Sequence, residues 1–129
     1  MDKITLQDTY PVFFLEVKKD ETTFANVDEI IDFIRARAEE HPKVTYIATF
    51  DHYAHTTGIG GEIAPDIKDA KEAVFCFGVK LPDPKMLAVR PRAIGVAETD
   101  DAFVLSFMEA PMPVANDAMT EWCQAVRNR

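Results

Sequence analysis

The sequence predicts an α+β fold: a mostly antiparallel sheet of about five strands with two main helices on one face. Three observations carry that prediction. A β-branched and aromatic run stands near the start of the chain, and a helix with clear start and stop signals follows it. Two further apolar runs, joined by the polar turn TDDA, read as a hairpin. The 129 residues fit a single domain, 1–129, with one core.

The first strand is VFFLEV, Val12 to Val17, with Phe13, Leu15 and Val17 on one face. The strongest helix follows. Asn26 is placed to cap it, Glu29 sits where a capping box needs it, and Phe24 is placed to pack back on the first turn. Val27, Ile30, Ile31, Ile34 and Ala38 repeat at helical spacing, and His41-Pro42 stops the run because a residue before proline avoids the α region. Lys43 to Phe50 is the second strand, with Val44, Tyr46, Ala48 and Phe50 alternating inward. A loop, 51–62, comes next, and Pro65 suits the first turn of a short helix through DIKDAK.

Ala73 to Val79 is apolar on both faces and predicts a central strand covered on both sides. Asp83-Pro84 starts a brief helical turn. The hairpin AIGVAE–TDDA–FVLSFME follows, and a last helix begins near Pro113. Its Ala115, Ala118, Met119, Trp122 and Val126 share one face, with Asp117 early and Arg127 late as the helix dipole prefers.

Composition narrows the function classes. Apolar residues make up 47% and charged residues 28%, an ordinary globular balance. A net charge of −8 works against nucleic acid and anionic lipid as partners. The opening MDKITLQDTYP lacks a signal pattern and no apolar stretch approaches membrane-spanning length, so a cytoplasmic protein is expected. Cys76 and Cys123 form no CxxC pair and read as packed thiols. Met108, Met112 and Met119 likewise read as core.

The chemistry gathers in DHYAHTTGIGGE, 51–62, which holds two of the three histidines and three of the five glycines. Asp51, His52 and His55 are a candidate metal set, with Glu62 as an alternative carboxylate. The same imidazoles suit acid/base work near neutral pH. No nucleophile is flagged, since Ser106 stands outside any elbow motif. GIGGE offers either a nest of backbone N–H groups for an anion or a turn that needs glycine. Arg90 and Arg92, in RPR, suit bidentate recognition of a carboxylate or phosphate; the plainer alternative pairs them with Glu98 or Glu109.

Taken together, FDHYAHT, VFCFG, LAVRPR and FMEAPMPVAND resemble blocks from a family of short bacterial proteins of unknown function. The resemblance covers nearly the whole chain. It implies no activity and no cofactor, and transfers no site residue.

The leading expectation is a small anionic ligand bound beside 51–62 by His52, His55, Arg90 and Arg92. The alternatives are a His-dependent enzyme, a metal-binding protein, and a homodimer. The dimer follows from VFFL, VFCF and FVLSFM, which put apolar side chains on both faces of the sheet, more than two helices can cover. Folding of 51–72 over the second face would remove that need.

Overall fold

A computed structural model describes all residues, 1–129. Pairing begins earlier than the strand signal at Val12. β1 (Asp2–Leu6) turns into β2 (Tyr10–Lys18) through Gln7 and Asp8, whose φ angles of 53° and 58° lie in the left-handed region. Neither is glycine or asparagine, so the turn carries no familiar sequence signal. The remaining elements are α1 (Val27–Glu40), β3 (Thr45–Asp51), α2 (His52–Gly58), β4 (Asp69–Cys76), β5 (Arg92–Glu98), β6 (Ala102–Met108) and α3 (Pro113–Gln124). The strands make one six-stranded antiparallel sheet in the order β1-β2-β6-β5-β4-β3. The α+β class is as read from the sequence, with one more strand and a third, short helix. No helix is long and apolar enough to cross a membrane.

α1 starts where its cap predicts. Asn26 Oδ1 accepts from the Glu29 amide at 2.9 Å, and Glu29 Oε1 accepts from the Ala25 amide at 2.8 Å. Phe24 packs on Phe33 of the same helix, ring centroids 5.2 Å apart. The apolar stripe of α1 and the buried face of α3 lie on one side of the sheet. There they meet Leu15, Val17, Ala73, Phe75, Ile94, Val96, Phe103 and Leu105 in a continuous core.

Four expectations need correcting, the last of them Met108 as a core residue. Residues from Pro65 do not form a helix: 65–68 is irregular and β4 already begins at Asp69. β4 is not covered on both faces, because Ala73 and Phe75 are buried while Val74 and Cys76 are only half-buried on the other side. The alternation of β3 is broken as well. A bulge between Tyr46 and Ala48 lets Tyr46 sit opposite Phe75 but sets Ala48 opposite Val74 and Phe50 opposite Glu72, on the side away from the helices. Met108 belongs to that side too, and is 47% exposed.

The link from β6 to α3 is fastened by one side chain. Asn116 Oδ1 accepts from the Ala110 amide at 2.7 Å, and its Nδ2 donates to the Ala110 carbonyl at 2.9 Å. Ala110 is buried, so Asn116→Ala strands both backbone groups. The expected cost is about 1–3 kcal/mol, read as a lower urea midpoint at unchanged slope.

Candidate functional site

Register alone places a row of five residues across the face that α1 and α3 leave open. Phe14, Ser106, Gly95, Glu72 and Phe50 lie opposite one another on five successive strands. Gly95 is the gap in that row. Its neighbours on the same face of β5, Ala93 and Ala97, are also small, so β5 forms the floor of a trough of about 530 Å³. Leu6, Val12 and Met108 wall it on one side, His52 and Glu72 on the other, and Pro91 and Arg92 close one end.

α2 positions His52. Asp51 caps the helix, its Oδ1 accepting from the Ala54 amide at 2.9 Å. The 51–62 loop expected from the sequence is thus largely this helix and its end. The glycines follow from that end. Gly60, at φ +73°, donates to the Thr57 carbonyl, and Gly61 donates to the Thr56 carbonyl at 2.8 Å. This is a Schellman cap, which needs a residue tolerant of the left-handed region. A Cβ on Gly61 would meet Thr56 Cγ2 at 2.9 Å. The N–H groups that an anion nest would use are therefore spent on the helix, and the turn reading holds.

His52 Nδ1 lies 2.7 Å from Glu72 Oε1. With a neutral ring, Nδ1–H donates to the carboxylate and leaves Nε2 as a free acceptor at the trough. Phe50 packs against both imidazoles, 5.5 Å from the His52 ring and 5.4 Å from that of His55. The two histidine rings are perpendicular, with centroids 6.0 Å apart. Asp51 turns to its own helix and to Lys71, 3.8 Å away. Asp51, His52 and His55 thus do not converge, and no three His, Cys, Asp or Glu side chains cluster closely enough to hold a metal ion.

The arginines also divide. Arg90 sits over Gly78, where a Cβ would lie 2.5 Å from Nη1, and donates to the Lys80 carbonyl. It faces the loop 78–91 and not the trough. Arg92 donates to the carbonyls of Val89 and Met108, where the β5–β6 pairing has ended. Burial lowers the pKa of its guanidinium below the ordinary arginine range. Neither arginine pairs with a carboxylate; Glu98 pairs with Lys19 and Glu109 with Lys3. Of the four candidate ligand residues, the trough gathers His52 and Arg92; His55 and Arg90 lie outside it. Glu72 and Ser106 are additions that the sequence reading did not place there. Their signal is the strand register, which a single sequence does not disclose.

Lys71 braces this corner from the opposite face of β4. Its ammonium binds Asp28, at the start of α1, and neighbours Asp51. The Asp28 hydrogen bond raises its pKa above the ordinary 10.5. A raised lysine stabilises the fold below the unfolded pKa, and that contribution is lost as pH rises through the folded value. Lys71→Met should cost about 1 kcal/mol at neutral pH, since both carboxylates are exposed, with the gap from wild type closing above pH ~10.5. Thermal melts across pH check it.

The cysteines differ in access. Cys123 is buried and desolvation pushes its thiol up to about 12, whereas Cys76 is half-buried on the open face. A thiol reagent on the native protein should therefore modify Cys76 alone, with Cys123 reacting only on unfolding.

A model of a family of unknown function, DUF6858, matches residues 1–128. That agrees with the resemblance read from the sequence. Among solved structures, the chain is similar to the crystal structure of an uncharacterized conserved protein, DUF302, from Bacillus stearothermophilus. The TM-score is 0.55 at 10% identity, over 92% of this chain and 98% of that one. At that identity the likeness concerns the fold. No curated protein matches the chain.

Proposed function

We propose a function for this chain, which belongs to the DUF6858 family of unknown function, from its open sheet face: it binds a small molecule in the trough along β5. The ligand has an apolar body that lies over Ala93, Gly95 and Ala97, and an anionic or hydrogen-bond-accepting end that meets Arg92. One observation carries the reading. A trough of about 530 Å³, within the size range of small-molecule sites, has small apolar residues on its floor and His52, Glu72 and Arg92 on its rim. Two of the five guanidinium N–H donors of Arg92 are given to carbonyls, which leaves donors for a carboxylate. His52 and Glu72 supply an acceptor at the opposite rim, so a ligand with a hydroxyl or amine there gains a second anchor.

A thermal-shift panel of small aromatic and aliphatic carboxylates, each with its methyl ester, tests this. The acids should raise the melting temperature and the esters should not. At a hundredfold excess over Kd the gain is about 2.7 kcal/mol. His52→Ala should reduce the shift for acids that also carry a hydroxyl or amine. A panel in which no acid acts, or in which acids and esters act alike, would overturn the reading.

A second reading rests on the His52–Glu72 contact. A carboxylate that orients an imidazole beside a pocket is the arrangement of a general base. That reading predicts turnover of the bound molecule, abolished in His52→Ala and reduced in Glu72→Gln.

A further inference from the structure

We infer that the open face of the sheet is the interface of a two-fold homodimer, in which a second copy of this chain closes the trough. Six large apolar side chains, Ile4, Leu6, Tyr10, Ile47, Phe50 and Met108, stand on or beside this face, each between 42 and 52% exposed. Of these the 51–72 segment reaches only Phe50, against which His52 and His55 pack, and that ring is still 42% exposed. The segment packs at the β3–β4 edge, lining a smaller cavity of about 200 Å³ with Ile63 and Ile67. α1 and α3 occupy the other side, so most of the apolar surface foreseen in the sequence is left open.

The size of the face fits a second copy. Six strands about 4.8 Å apart, each about seven residues long, cover on the order of 600 Å² in projection before side-chain relief is added. A standard interface buries about 800 Å² per partner. Its charges are few. Glu16 is paired with Lys18 at 2.9 Å, Glu72 is hydrogen-bonded to His52, and Asp2, opposite Phe14, stands exposed on the edge strand β1.

The sheet edges are less suited to pairing. β1 has only five residues, and β3 is interrupted by its bulge and runs directly into α2. On the face itself, the β1–β2 ridge of Leu6 and Tyr10 stands beside the trough. A two-fold rotation sets each ridge against the other copy's trough, which is the self-complementarity a closed dimer requires. The partner's ridge then covers the side of a ligand that a single open trough leaves wet; this last step rests on the ligand-binding reading above.

Light scattering at micromolar concentration is the test. The expected mass is twice the 14.5 kDa of the chain. Leu6→Glu, at a half-exposed position, should give the single-chain mass with an unchanged circular dichroism spectrum, and Tyr10→Lys should repeat it if the first variant folds poorly. Val114→Glu, 64% exposed on α3, should leave the dimer intact. A wild-type mass of 14.5 kDa, or a dimer split by Val114→Glu and not by Leu6→Glu or Tyr10→Lys, overturns the inference. The carboxylate panel separates the two proposals. Acids that stabilise a monomeric wild type leave ligand binding standing without the dimer, and a dimer insensitive to every acid does the reverse.

Discussion

Phe75→Ala should lower the stability of this protein by about 3–5 kcal/mol, a large share of the 5–15 kcal/mol that holds a typical domain folded. Phe75 has no exposed surface and meets Trp122 of α3 edge-on at 5.5 Å and Phe77 at 5.7 Å. It therefore joins β4 to the helical layer at the point where strand, α1 and α3 share one core. Truncation to alanine leaves a cavity that three packed elements cannot all move to fill. The melting temperature should fall by about 10–20 °C for a chain of this size. Val74, one residue earlier, points to the open face and supplies the control. In dilute solution Val74→Ala should cost about 1 kcal/mol or less, because its surroundings are already partly wet. A Val74→Ala cost close to that of Phe75→Ala would place a covering layer over the open face.

The two sides of β4 also mark how far the sequence could be read. One-sided periodicity is local information, and it located α1, α3 and the buried face of β2, while turn chemistry placed β5 and β6 as a hairpin. The apolar run at Ala73 to Val79 suggested a doubly covered strand because composition cannot tell a face under helices from one lining a trough. β1 escaped notice because Asp2 to Leu6 is wholly exposed and its turn uses Gln7 and Asp8 instead of a glycine. In the 51–62 stretch the glycines were legible as punctuation, but the helix they terminate was hidden. HYAHTTG is seven residues of mixed propensity and buries none of them, so no apolar stripe announces it.

The candidate site was legible in part for the same reason. His52 and Arg92 were marked by residue type alone, as the groups most able to contact a ligand. His55 and Arg90 bore the same mark and lie outside the trough: His55 sits a turn further along α2, packed on Phe50, and Arg90 precedes β5 and turns to Gly78 and the Lys80 carbonyl. Glu72 and Ser106 meet the trough only because β4, β5 and β6 align in one register. Neither residue is near the other in sequence, and neither belongs to a motif.

Gly95→Val should abolish most ligand binding while leaving the fold slightly more stable, and that pairing of effects is what makes it informative. Gly95 lies between Ser106 and Glu72 in the central row, and its missing side chain leaves a gap in the trough floor. A Cβ built there would meet Ser106 Oγ at 3.6 Å, an ordinary contact, so the backbone need not shift. Valine also suits a strand, and replacing a strand glycine relieves about 0.5–1 kcal/mol of conformational cost, worth a few degrees of melting temperature. The added methyl groups enter the space assigned to the ligand. Overfilling a packed site costs about 1–3 kcal/mol, which corresponds to roughly 10- to 100-fold weaker binding. Titration of an acid that stabilises the wild type, followed by calorimetry or amide chemical shifts, reads the affinity, while a melt without ligand reads the fold. A higher melting temperature with affinity reduced in this range supports a ligand seated over β5. Unchanged affinity in a well-folded Gly95→Val protein would move the ligand off this face, and the role of His52 and Arg92 with it.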